Sequence, residues 1–408
     1  MGKIGILTFH RSVNNGAVLQ AYSLSKRLME EYPDMDVEII DFHMKKIENA
    51  YHYSFFHYVK DSNPFRALKK FAKIILNPGT IYRLNRRTKI FESVRTKLPL
   101  SKFSTVEDSS KELFEYINVT YDVLIVGSDA VWNYVSRGFP NAYFPDESVK
   151  CPKLSYAASC YGMEFIDYSK NDKDRIKTIL DNFSFIGVRD TATEDFVKWS
   201  GCVRIPHHTC DPTAFLNIDD LPIDINSLIK KLCKRGFNFD RPAIGMMGNE
   251  KMCSMIRKIF QKKYQIVALY EYVGNADVNL YDLTPYEWAY VFRYFKLTFT
   301  TYFHGTMLSL RHGVPVICIA LRTEFAKKHD PKTLDLLKHL GLSEWYFSTD
   351  FKQENFETIK STAEKLINER KHDELIKKIN NEAESFYCFK KRLDEIIYKK
   401  AAKEKQND

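Results

Sequence analysis

Short apolar runs alternate with amphipathic stretches along most of this chain, the pattern of parallel strands buried on both faces and joined by helices. The opening reads as a strand from Ile4 to Thr8, a polar turn from Phe9 to Gly16, a helix from Ala17 to about Glu31 and a strand from Val37 to Ile40. Val123 to Val126, Leu154 to Ala158 and Ser184 to Val188 continue the series. A second run begins at Pro242 to Met247, continues with Gln265 to Leu269, and includes Leu297 to Thr300 and Val314 to Ile319. From Phe356 to about Lys403 the chain is charged and helical.

Two spans break this rhythm. Residues about 43–117 read as a helical insertion in the first α/β unit. Between Lys60 and Lys97 it carries eleven Lys/Arg against two acidic residues, interleaved with apolar positions such as Phe71, Ile74, Ile81 and Phe91. Helices with a basic face follow, either as a solvated insertion or as a contact with an anionic membrane surface or a lipid-linked phosphate. Around 206–225, His, Asp, Pro and Thr are dense and periodicity is absent, which predicts a linker. The expected organisation is an N-terminal Rossmann-like domain over 1–205, a linker over 206–225, a second Rossmann-like domain over 226–375, and a C-terminal helix and polar tail over 376–408.

The strand ends carry the candidate chemistry. Ligands of α/β sheets bind beyond the carboxyl ends of the strands, where helix amino termini also present N–H groups to anions. The turn after the first strand carries Asn14, Asn15 and Gly16, the Val123 strand leads into Ser128 and Asp129, and the Ser184 strand ends in Arg189. Those ends converge in a parallel sheet, which predicts a site shared by Asn14, Ser128, Asp129 and Arg189. In the second unit His304 and Gly305 stand where a strand turns into a helix, placed to reach a phosphate or to donate a proton near neutral pH. Trp132 beside the Asp129 turn is a candidate for stacking on a sugar ring, and equally a core residue.

Composition narrows the function. The chain has 408 residues, 44% hydrophobic and 28% charged, which suits a soluble protein of two or three domains. Lys and Arg outnumber Asp and Glu by 61 to 52, a formal charge of +9 that favours an anionic ligand but is too mild and dispersed for nucleic acid. There is no GxGxxG, which argues against NAD or FAD. The eight cysteines form no CxxC pair, and no signal peptide or membrane span is evident, so a cytoplasmic location is expected. Cys202, His207, His208 and Cys210 match no zinc spacing, and no resident metal or cofactor is expected.

Six segments, in order and spread over most of residues 3–345, resemble the polysaccharide pyruvyl transferase family: IGILTFHRSVNNGAVLQAYSL from Ile4, DVLIVGSDAVWN from Asp122, Tyr156 to Gly162, Gly187 to Asp190, Cys210 to Thr213, and TYFHGTMLSLRHGVPVICI from Thr301. The resemblance implies two Rossmann-like domains arranged as in the GT-B glycosyltransferases. It also implies transfer of pyruvate from phosphoenolpyruvate onto two hydroxyls of a glycan sugar, giving a cyclic ketal in cell-surface or exopolysaccharide biosynthesis.

Carried over by position, the family's phosphoenolpyruvate-site histidine is His304 and its first-domain arginine is Arg189. Many members have Arg-Leu-His where this chain reads Tyr302-Phe303-His304, so another cation must serve. Arg311, Arg322, Lys327, Lys328 and Lys332 are the candidates, with Arg322 preferred because it follows a strand directly. The expected site therefore has His304 and Asp129 as acid and base, Arg189, His304, Gly305, Arg322 and Lys327 around phosphoenolpyruvate, and Asn14, Asn15, Gly16, Ser128 and Trp132 on the acceptor, which is either lipid-linked or soluble. A GT-B glycosyltransferase using a nucleotide sugar is the main rival, although the helix after Gly305 lacks the glutamate such enzymes use. A catalytically inactive glycan-binding protein is the third reading.

Overall fold

The computed structural model describes residues 2–44, 64, 68, 78–106, 110–133, 138–162, 169–320, 329–349, 355–369 and 371–407. Two parallel sheets carry the fold. The first contains β1 (Gly2–Leu7), β2 (Met35–His43), β3 (Leu100–Val106), β4 (Val123–Val126), β5 (Lys153–Ala158), β6 (Phe183–Val188) and β7 (Pro206–His208), in the order β3-β2-β1-β4-β5-β6-β7. The second contains β8 (Ala243–Met247), β9 (Gln265–Ala268), β10 (Val278–Asn279), β11 (Phe295–Thr300), β12 (Val316–Ala320) and β13 (Tyr346–Ser348), in the order β10-β9-β8-β11-β12-β13.

Both sheets reverse direction of growth at their first strand, between β1 and β4 and between β8 and β11. A crevice opens at each such point, outside the carboxyl ends of the strands. The central strands read as unbroken apolar runs because helices cover both faces: all four residues of β4 are buried, as are all five of β8 and of β12. The two expected α/β units are therefore present, with the GT-B-like arrangement of two Rossmann-like domains and a helical C-terminus.

The domains share apolar packing. One continuous cluster joins Ile4, Leu24 and Tyr156 of the first sheet's layers with Ile244, Phe299 and Met307 of the second. The final helix, Phe386–Asn407, returns to the first domain, where the Phe389 ring lies 4.9 Å from Tyr156 and 5.8 Å from Phe185. Tyr32 donates to Asp394 at 2.7 Å on the same face.

Three sequence expectations change. The segment expected as a linker starts with β7, an edge strand whose three residues are too few to show a period and whose proline is tolerated where one ladder side is open. The insertion expected to 117 contains β3, paired in parallel with β2, so the α/β alternation resumes by Leu100. Its inward positions, Ser101, Phe103 and Thr105, alternate with exposed Lys102 and Ser104, and two of the three are polar, so no apolar run marks the strand.

The third change concerns the basic stretch itself. Most of 60–77 lies outside the described residues, but the helix Pro78–Arg95 lies against the second domain. Arg83 stands 4.5 Å over the Tyr272 ring, Arg87 3.8 Å over Tyr270, and Arg86 donates to the buried Asp282 at 2.9 Å. These three arginines contact the second domain, although Arg86 remains partly exposed. No helix among the described residues is long and apolar enough to cross a membrane.

Candidate active site

The site is built where the two crevices face each other. From the first domain comes the helix Asn15–Glu31, which follows β1. Asn14 caps it, accepting from the Gly16 N–H at 2.9 Å. The turn before it is fixed by Asp41 on β2, which accepts from His10 Nε2 at 2.8 Å and from Arg11 Nε and Nη2 at 2.7 Å each. Burial opposes charge on Asp41, but His10 and Arg11 outweigh it and hold the carboxyl well below the usual range.

From the second domain comes the helix Phe303–Arg311, which starts three residues before the Thr306 that the sequence pattern suggests, so His304 and Gly305 lie in its first turn. Tyr302 provides no side-chain cap and the first turn carries no acid. The N–H groups of Phe303, His304 and Gly305 are those a helix leaves without an internal acceptor, and the helix dipole adds positive potential there.

His304 crosses the gap between the domains. Its ring lies so close to Gly16 that a β-carbon on that glycine would be 2.0 Å from Nδ1. Nε2 sits 3.5 Å from Asp211 Oδ2. The histidine is 8% exposed, which replaces the expected open turn residue with one wedged into the domain boundary.

Asp211 is the hub. It lies just beyond β7 and accepts from the Thr213 N–H at 3.0 Å, from the Thr213 hydroxyl at 2.6 Å, from Arg189 Nη1 at 2.9 Å and, through a short bond, from Gln20 Nε2. Burial pushes its carboxyl up, yet His304 and Arg189 override this and hold it well below the usual carboxylate range. A negative charge is thus fixed between Arg189 and the His304 ring.

Arg189 follows β6 and is 5% exposed. Its Nη2 is 3.8 Å from Asp129 Oδ1, and its guanidinium stands 4.8 Å over the Phe303 ring. Lys332, at the start of the helix Lys332–His339, reaches the same ring at 5.5 Å. Burial and the neighbouring Arg189 both lower the Lys332 pKa. Asp129, at φ 81° in the turn after β4, accepts from the Ala130 N–H at 2.7 Å. Burial would raise its pKa, but Arg189, Lys332 and His304 together lower it.

Buried polar atoms without a hydrogen-bond partner gather at this edge: Arg189 Nε and Nη2, His304 Nε2, Ser128 Oγ, Asn15 Oδ1 and Gln20 Oε1. Native interiors pair such atoms, so a concentration of them at two facing helix starts suits a polar, anionic ligand. Two cations and a histidine around a low-pKa carboxylate can grip a carboxylate or phosphate and hold a proton donor beside it.

Of the sequence-derived residues, Asn14, Asn15, Gly16, Asp129, Arg189 and His304 come together. Ser128 is buried, its carbonyl accepting from the Thr8 hydroxyl at 3.1 Å. Gly305 packs against Met247 so tightly that a β-carbon would be 2.2 Å from its Cε, so its contribution to a ligand is its N–H alone. Trp132 is not a sugar contact: it is fully buried, donates to the Tyr143 carbonyl at 3.0 Å and stacks on Phe144 at 5.8 Å.

Arg322, Lys327 and Lys328 lie outside the described residues. Arg311 is spent on structure, donating to the Leu216 carbonyl and to Asn380, both at 2.9 Å. The imagined Cys202, His207, His208 and Cys210 group does not converge, since Cys210 meets the Tyr156 hydroxyl at 3.2 Å while His207 stacks on Phe185 at 4.8 Å. Sequence reading missed Asp211 and Gln20 as site members. Gln20 is four residues from Gly16 on one helix and so shares its face; Asp211 lay in a stretch read as linker, although its segment, Cys210 to Thr213, is one of those that carry the family resemblance.

A family model described as polysaccharide pyruvyl transferase matches residues 14–322. No curated protein matches in sequence. Among solved structures, the UDP-N-acetylglucosamine 2-epimerase from Rickettsia bellii is 10% identical, with 98% of each chain covered and a TM-score of 0.50. A UDP-GlcNAc 2-epimerase from Neisseria meningitidis is also 10% identical, covering 95% of this chain and 100% of that one, with a TM-score of 0.49. At such identities the likeness is one of fold alone.

Proposed function

This chain belongs to the polysaccharide pyruvyl transferase family, and from that premise we propose that it moves pyruvate from phosphoenolpyruvate onto two hydroxyls of one glycan sugar, releasing phosphate and leaving a cyclic ketal. The single observation that carries the reading is the Arg189–Asp211–His304 constellation at the facing starts of two helices. Phosphoenolpyruvate brings about three negative charges, so it needs two-point cationic grips and oriented N–H groups before any other chemistry.

Arg189 Nε and Nη2 hold the donor's carboxylate, while Lys332 and the N–H groups of Phe303, His304 and Gly305 receive the phosphate. His304 delivers a proton to the methylene carbon, turning CH2 into CH3 and making the adjacent carbon cationic. A sugar hydroxyl attacks that carbon, its oxygen forms the first C–O bond, and its proton passes to Asp129.

Asp129 is a weak base, because its neighbours depress its pKa. A hydroxyl bonding to a cationic carbon becomes strongly acidic, so a weak base suffices. The second hydroxyl then forms the other C–O bond as the C–O bond to phosphate breaks, and its proton leaves with the phosphate. Asn14 and Asn15, on the first-domain side, face the acceptor.

The test is calorimetry of the purified protein with phosphoenolpyruvate, UDP-sugars and GDP-sugars in parallel, followed by phosphate release with a glycan acceptor. Binding of phosphoenolpyruvate that is lost in His304→Ala supports the assignment. Binding of a nucleotide sugar alone overturns it in favour of glycosyl transfer, and binding of glycan with no phosphate release marks an inactive glycan-binding protein.

A further inference from the structure

Three side chains outside the cleft meet where the two domains and the C-terminal helices come together. His208 ends β7 of the first sheet, three residues before Asp211. Glu382 lies near the end of the helix His372–Ala383, and its Oε1 accepts from His208 Nε2 at 2.6 Å. His339 ends the helix Lys332–His339 of the second domain, with its ring centroid 4.6 Å from that of His208. One ligand atom from each of the three lies within 4.8 Å of the others.

We propose that His208, His339 and Glu382 bind one zinc-class divalent ion that staples the domains together. Zinc held at about 2.0–2.2 Å from nitrogen and oxygen ligands in a tetrahedron places those atoms about 3.3–3.6 Å apart. The present separations, from 2.6 Å to at most 4.8 Å, bracket that range, so small rotations of the side chains complete the geometry. Two imidazoles and one carboxylate form a nitrogen-rich set that favours zinc over magnesium or calcium, which take oxygen ligands. His339 is exposed and His208 and Glu382 half-buried, so the fourth position opens to water. An ion pair alone accounts for His208 and Glu382 but gives no role to the second imidazole beside them.

The ion's effect is mechanical and independent of the reaction assigned above. The β7 strand runs into Asp211, and the Cys210 N–H donates to Ser385 Oγ at 2.8 Å, just beyond the Glu382 helix. The His339 helix begins with Lys332, and its Asp335 accepts from the Thr191 N–H at 3.0 Å and hydroxyl at 2.6 Å, next to Arg189. Ligation at one end of these elements therefore holds the other end, where Arg189, Asp211, His304 and Lys332 meet.

The full chain, stripped with a chelator, is titrated with zinc against a chromophoric competitor, and separately with cobalt. One zinc per chain is expected, with the visible bands of tetrahedral cobalt and a zinc-dependent rise in Tm. His339→Ala and Glu382→Gln should each weaken zinc by at least about tenfold, the lower end of what even outer-shell changes cost, and abolish the cobalt bands. Glu382→Gln keeps an acceptor for His208, so its fold survives loss of the carboxylate. No stoichiometric uptake by the wild type, or uptake that both variants retain, overturns the proposal.

Discussion

Gly16→Ala isolates the contact between the domains at the heart of the site. The new methyl carbon would lie 2.0 Å from His304 Nδ1, 2.3 Å from Cγ and 2.4 Å from Cε1, whereas ordinary contact begins at 3.4 Å. The ring must retreat by about 1.4 Å, and it has little room because it is nearly buried against Asp211. In an unconstrained helix the same change stabilises by up to ~1 kcal/mol, so intrinsic propensity works against the expected outcome. Overpacking a tight site costs about 1–3 kcal/mol, and a misplacement of about 1 Å at a reacting group can lower turnover about 100-fold. The assay is phosphate release from phosphoenolpyruvate beside a thermal melt of the same preparation. In a His304→Ala background the methyl occupies space the ring has left, and the stability loss should vanish. Wild-type turnover in Gly16→Ala, or a stability loss that persists without His304, would refute the wedge.

Arg189→Lys keeps the charge but not the planar fork, and should weaken phosphoenolpyruvate binding by about 1.5–3 kcal/mol in titration, with unchanged affinity removing Arg189 from the donor grip. Asp211 has a folded pKa below its unfolded value of about 3.9, so its stabilisation is fully present above that pH and is lost as pH falls through the folded value. Asp211→Asn should therefore flatten the decline of Tm below about pH 4, and an unaltered acid limb would contradict the assignment. Arg86→Glu sets a second carboxylate against the buried Asp282 and should lower Tm together with turnover on a soluble acceptor; its exposure limits the cost to about 1 kcal/mol, and an unchanged melt would show that the basic helix does not clamp the second domain.

Strand identity was legible because short apolar runs bounded by polar ends have one stable use in a chain of this kind. Val123 to Val126 needed no correction, and Ile4, Leu154, Ser184 and Leu297 mark strands within two residues of their observed starts. The same logic brought Asn14, Ser128, Asp129 and Arg189 to one edge of the first sheet, since parallel strands and right-handed crossovers leave their carboxyl ends together, and set His304 after a strand of the second.

Side-chain environment was not legible, because burial depends on what arrives from elsewhere in the chain. Trp132 follows a strand in the manner of a ligand contact, yet Phe144 and the Tyr143 carbonyl enclose it. Arg83, Arg86 and Arg87 have the spacing of a charged face, and only the position of Tyr270, Tyr272 and Asp282 gives that face partners in the second domain. Asp211 shows the limit most plainly. Its sequence neighbourhood carries no period at all, whereas its function as a hub arises from Gln20, Arg189 and His304, separated from it by 191, 22 and 93 positions. Local sequence determines which strands and turns form; a charge shared by residues that distant is decided only when two sheets close on each other and water leaves the gap between them.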